Sequence, residues 1–125
     1  MLALFPRAYC DANRDPAELD PAVFLEAPPS TPHTRSPRVH AGLGVIARVV
    51  RDGTDIYLRK LPLSEATRRL AGLHAPYHAA LAGLVGDTRR RFGACVLIDC
   101  HSMPSQAASA AGRGPAPDII LGDRY

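Results

Sequence analysis

Asp99, His101 and Ser102 stand together at the end of a continuous apolar run, Ala94 to Ile98, and Pro104 interrupts the chain just beyond them. The run is too short for a helix and has the β-branched character of a strand buried on both faces. Polar groups at the carboxyl end of such a strand lie where open α/β sheets place their ligands, so a metal-binding or catalytic histidine is the natural reading of His101. Strand residues two apart share a face, which predicts Asp99 and His101 on one side and Cys100 on the other. A carboxylate beside a ligating histidine orients the ring and raises its basicity. One histidine makes no zinc site, and a polar strand end bonded into the following loop accounts for the same residues.

A second constellation is Asp11-Ala12-Asn13-Arg14. An arginine offers a planar fork suited to a substrate carboxylate, and a neighbouring amide adds a further hydrogen bond. A turn with a solvated arginine is the plainer reading. His74 and His78 are four apart, a spacing that serves two zinc ligands on a helix, but the glutamate that follows the first histidine in zincins is missing and Pro76 lies between them. They read as structural histidines. Cysteine catalysis at Cys100 would need a base from elsewhere, because the adjacent His101 faces the opposite side of a strand. Gly42 and Gly44 lack the rest of a dinucleotide fingerprint.

The elements that must position these groups follow an α/β pattern. Residues 7–11 read as a short strand entering a turn, and the prolines at 28, 29, 32 and 37 mark an extended surface loop. Val45 to Val50 and Ile56 to Leu58 flank Asp52-Gly53, which suggests a hairpin or two short strands around a turn. Ser64 to Phe92 carries apolar residues at 66, 70, 73, 77, 81, 84 and 85, one face of a helix. Ser64 is a candidate cap, Pro76 must kink or divide the helix, and Gly93 ends it. Residues 102–117 form a long Ser/Ala/Gly/Pro connection before a further strand at Asp118 to Gly122. Helix, strand, long loop and strand predict a single α/β domain over residues 1–125.

Composition narrows the function classes. The 125 residues carry a net charge of +3, from 15 basic and 12 acidic residues, and 46% of them are hydrophobic. The basic residues are interspersed rather than gathered on a stripe, which argues against nucleic acid as a partner. No apolar stretch approaches the ~20 residues of a membrane span. Three cysteines without regular spacing predict free thiols in a reducing compartment, so the cytoplasm is the expected location.

Taken in order, Asp11-Ala12-Asn13-Arg14 and Leu97-Ile98-Asp99-Cys100-His101-Ser102-Met103-Pro104-Ser105 resemble the N-formylglutamate amidohydrolase family. So do Ser36-Pro37-Arg38-Val39, Gly42 to Arg48, Pro76-Tyr77-His78 and Pro117 to Asp123. The resemblance implies a zinc-dependent hydrolase that removes the formyl group from N-formyl-L-glutamate or a similar N-acyl amino acid. It also implies a mixed sheet flanked by helices, of the carboxypeptidase/phosphorylase-hydrolase kind, here in part. His101 matches the family's histidine ligand, Asn13 and Arg14 match the Asn-Arg pair that holds a substrate carboxylate, and Arg48 faces the same site. Zinc would polarise the formamide carbonyl and bring its bound water towards a pKa of ~7 while a carboxylate base moves the proton.

Two parts of that family pattern have no counterpart here: an early metal motif before Asp11 and a late glutamate base after Tyr125. The expectation is therefore an interior piece, or a truncated reading frame, of a longer enzyme, with the general base outside this chain and activity lacking or present only in the full-length context. A related zinc carboxypeptidase-like amidase of other substrate is one alternative. A degenerate, non-catalytic domain that binds carboxylated metabolites or a protein partner is another.

Overall fold

Short-range side-chain caps, rather than a sheet, organise the first third of the chain. The computed structural model describes residues 1–50, 53–100 and 119–120. Asp11, Asp15 and Asp20 each accept the backbone N–H two residues on, from Asn13, Ala17 and Ala22, at 2.8–2.9 Å. These Asx turns offer the backbone an alternative to a ladder. Ser36 caps α1 (Pro37–His40) by accepting from Val39 N at 3.2 Å, after a single 3₁₀ turn at His33–Arg35.

The long helical pattern forms as three pieces: α2 (Leu63–Arg69), a π turn (Leu70–His74) and α3 (Ala75–Phe92). Pro76 has no N–H to give and crowds the preceding turn. The chain answers with a wider turn, in which Ala75 N–H donates to Leu70 O. Pro76 thus divides the helix without a break, and Gly93, at φ 77°, closes α3 with its N–H on Arg89 O at 2.8 Å. Ser64 does not cap. Pro62 occupies the cap position, and the Leu63 N–H donates to Glu26 Oε2 at 2.7 Å, a partner 37 residues away.

The expected mixed α/β sheet flanked by helices is not what the described residues show. They contain no strand, only two isolated bridges, a parallel one between Phe24 and Leu61 and an antiparallel one between Val49 and Asp55. The second bridge is the remnant of the predicted hairpin, with Ile56 N donating to Arg48 O at 2.8 Å. Residues 7–11 turn instead, because Tyr9 and Cys10 both donate to Pro6 O. The run expected as a buried strand has no regular secondary structure and no bridge partner among the described residues, and Val96, Leu97 and Ile98 are exposed. An interior strand needs a neighbour on each side, and no other described segment supplies a ladder. Of the expected strand at 118–122, only Ile119 and Ile120 are described, and neither is in a strand.

The chain divides into two units, Met1–Cys95 and Val96–Tyr125. In the first, Cys10, Val23, Phe24, Val45, Ile46 and Ala66 form the buried core. Burial of the Cys10 thiol pushes its pKa up. Such a thiol is inert packing rather than a nucleophile. No helix among the described residues is long and apolar enough to cross a membrane.

A buried arginine ties the core to the helix. Arg69 donates to Glu65 Oε1 (2.8 Å), Tyr57 Oη (2.9 Å) and Tyr9 O (3.0 Å), and its guanidinium lies 3.8 Å from the centre of the Tyr9 ring. Hydrogen bonds from Arg68 and then Arg69 hold the Glu65 carboxyl at about 2, below its ordinary 4.5. A carboxylate depressed on folding stabilises the native state above its unfolded pKa, and that contribution is lost as pH falls towards the folded value. Thermal stability is therefore expected to fall as pH drops from 4.5 to about 2. Glu65→Gln should flatten that acid limb in a series of melting curves. Solvent screens the share owed to the exposed Arg68, so the buried Arg69 carries most of the effect.

Candidate functional site

The segment Asp11–Arg14 is held from several sides. The buried Asp11 accepts from Arg7 Nη2 at 2.7 Å and from Asn13 N at 2.9 Å, and its own N–H donates to Val45 O at 2.8 Å. Arg14 Nε lies 3.8 Å from Asp11 Oδ2. Two guanidinium groups thus share one carboxylate, which leaves the locality positive. That is the sign an anionic substrate requires.

Arg14 is anchored before any ligand arrives. Its Nε donates to Leu43 O at 3.0 Å and its Nη1 to Asn13 O at 2.9 Å. A guanidinium has five N–H groups, so three remain without a partner among the described residues, one on Nη1 and two on Nη2. The pair Nη1–Nη2 is the end of the fork that grips a carboxylate through two parallel bonds. The side chain is only 16% exposed, so the fork is held in place rather than waving in solvent. Asn13 is exposed beside it.

Arg48 is anchored to the same turn. Its backbone N–H donates to Gly42 O at 2.9 Å. Its guanidinium pairs with Asp20 (2.9 Å) and Asp55 (3.4 Å), and those contacts push its pKa up. The Gly42–Gly44 turn therefore carries one arginine on the Leu43 carbonyl and another on the Gly42 carbonyl. Gly42 needs its missing side chain, since its φ is 75° and a Cβ there would approach Val49 Cγ2 to 3.0 Å.

His74 and His78 pair with no acid among the described residues. Nε2 of His74 lies 2.9 Å from Arg14 O, Nε2 of His78 lies 2.8 Å from Ala12 O, and the two rings stack at 4.3 Å. A carbonyl only accepts, so each Nε2 carries the hydrogen. Their fourfold spacing was visible in the sequence, but the carbonyl partners lie 60 and 66 residues away.

Comparison with known proteins decides the family. The model of a family described as N-formylglutamate amidohydrolase matches residues 1–125. The chain belongs to the N-formylglutamate amidohydrolase family. No curated protein and no solved structure matches it. Membership makes the chain N-formylglutamate amidohydrolase-like and its chemistry that of a hydrolase acting on an amide.

Three of the four site residues expected for a member of this amidohydrolase family fall among the described residues. Asn13 and Arg14 are adjacent on the held loop, and Arg48 shares the Gly42–Leu43 turn with Arg14. His101, expected as a metal ligand, lies outside the described residues. Asp99 and Cys100, its neighbours, are exposed. Among the described residues no three His, Cys, Asp or Glu side chains come together in a metal-binding group. A catalytic zinc needs about three protein ligands, so the described residues alone do not fit the metal.

Proposed function

We propose that this amidohydrolase-family chain serves the removal of the formyl group from N-formyl-L-glutamate or a similar N-acyl amino acid. In that reaction the C–N bond of the formamide breaks, the oxygen of a water bonds to the formyl carbon, and a proton goes to the departing amine. Formate and the amino acid result. Arg14, with Asn13 beside it, takes the side-chain carboxylate of N-formyl-L-glutamate, the group that N-formyl-L-glutamine lacks. Arg48 is a second guanidinium at the same turn, but Asp20 and Asp55 offset its charge, so it contributes less to holding an anion.

The anchored fork of Arg14 carries this reading. Its Nε and Nη1 bonds to Leu43 O and Asn13 O set the plane of the guanidinium before substrate binds. A clamp oriented in advance lowers the entropy lost when the substrate is positioned. A carboxylate held there restrains the amide end of the same small molecule, which is what an amidohydrolase requires of a binding residue.

His101 as a ligand of a zinc ion is part of the proposal, on the strength of the family resemblance, and no step is derived through the metal. Metal analysis of the full-length gene product tests it. Zinc bound in the purified protein, lost in His101→Ala together with formate release from N-formyl-L-glutamate, is the expected outcome. Unchanged zinc content and an unchanged rate in that variant would reject His101 as a ligand.

A further inference from the structure

Three side chains spaced along one helical stretch hold three backbone carbonyls of the segment that carries Arg14. Arg69 donates to Tyr9 O at 3.0 Å, His78 to Ala12 O at 2.8 Å and His74 to Arg14 O at 2.9 Å. We propose that His74 and His78 are positioning residues, which set the backbone on both sides of Asn13 so that Asn13 and Arg14 present their side chains to the substrate carboxylate. The inference rests on the reading of Arg14 as the carboxylate clamp.

The local backbone explains why outside donors are needed. Within the loop, Arg14 N donates to Asp11 O at 3.2 Å and Asn13 N to the Asp11 carboxylate. Those bonds orient N–H groups and leave the carbonyls of residues 12 and 14 to find donors elsewhere. The two imidazoles supply them. His74 is buried at 6% exposure, and the rings brace one another at 4.3 Å while Tyr77 meets His78 edge-on at 5.5 Å.

The π turn fits the same role. It ends at His74, so its wider winding sets the rotation of both imidazoles relative to Arg69 on α2. Single π turns inside helices occur frequently at functional sites. Here the turn lets α2 and α3 address carbonyls at residues 9, 12 and 14 from one continuous helical stretch. A helix that only filled the core would present apolar side chains to this loop.

The experiment compares steady-state kinetics of the full-length gene product on N-formyl-L-glutamate and on N-formyl-L-glutamine, whose side-chain carboxylate is replaced by an amide. His78 is exposed, so its substitution perturbs folding less than that of His74. His78→Leu removes the donor, His78→Asn keeps polarity but is too short to reach Ala12 O, and His78→Gln returns an N–H to nearly the same place. His78→Leu and His78→Asn are expected to raise KM for N-formyl-L-glutamate about tenfold, with kcat changed less, and to narrow the preference for acid over amide by a similar factor. His78→Gln should recover most of both.

Wild-type KM and preference in His78→Leu or His78→Asn would overturn the inference, provided that Arg14→Ala loses both. So would equal losses in the Leu, Asn and Gln variants, which would show that the donated hydrogen bond is not what matters. If Arg14→Ala itself leaves the preference intact, the clamp reading fails first and takes this inference with it.

Discussion

Arg14→Ala should lower kcat/KM for N-formyl-L-glutamate by about a hundredfold while leaving the rate on N-formyl-L-glutamine nearly unchanged. A hydrogen bond to a charged group contributes about 1.5–3 kcal/mol, and a two-pronged grip on a carboxylate gives about 3 kcal/mol, or two powers of ten in rate. The estimate takes the upper part of that range because the guanidinium is anchored beforehand on Leu43 O and Asn13 O. Arg14→Lys should recover only part of the loss. A lysine restores the charge but cannot reach two acceptors and still offer a planar fork. Melting curves of both variants separate lost binding from a loosened loop, since Leu43 O loses its partner in each.

The second large effect falls on stability. Gly44→Ala would drive a Cβ into the backbone oxygen of Glu18. That oxygen cannot withdraw cheaply, because it accepts from Val45 N at 2.9 Å, and Val45 and Ile46 are both fully buried in the core. Overpacking costs about 1–3 kcal/mol, and a buried hydrogen bond broken on one side costs a similar amount. A loss of about 3 kcal/mol is expected, which lowers the melting temperature by roughly 10 °C. The same variant should weaken substrate binding, because the displaced turn carries the carbonyl that holds Arg14. Gly83→Ala is the matched control. Nothing lies within 4 Å of a Cβ there, and an alanine inside α3 should stabilise the protein by about 0.5–1 kcal/mol. Opposite signs at two glycines are a sharper result than either value alone.

The sequence was most legible where structure is decided locally. The helical stretch, its division at Pro76 and its stop at Gly93 follow from local backbone chemistry, and each is present. The apolar face predicted along it is buried only at its start, at Ala66, while α3 buries no residue and Leu84 is 52% exposed. The Asx turns at Asp11, Asp15 and Asp20 were equally local, since each aspartate accepts from the backbone N–H only two residues on. The strands were misread for a different reason. An apolar run such as Ala94 to Ile98 states only what it would bury. Whether it becomes a strand depends on a partner ladder elsewhere in the chain, and no described residue provides one.

The candidate site shows the same division. Asn13 and Arg14 were recognisable by type and by their place in a motif. Their supports were not, because Leu43 and His74 meet Arg14 across 29 and 60 residues and His78 meets the neighbouring Ala12 across 66. Glu26 likewise replaces Ser64 at the start of α2 from 37 residues away. A cap or a clamp supplied by a distant segment leaves no periodic or spacing signal at the position it serves.

The central claim is that a prearranged guanidinium reads the acidic group of the substrate. Its most direct test is the ratio of kcat/KM for N-formyl-L-glutamate to that for N-formyl-L-glutamine in the full-length gene product, followed by formate release. A preference for the acid of about a hundredfold, collapsing in Arg14→Ala, is the predicted result. Equal turnover of the two substrates would contradict it.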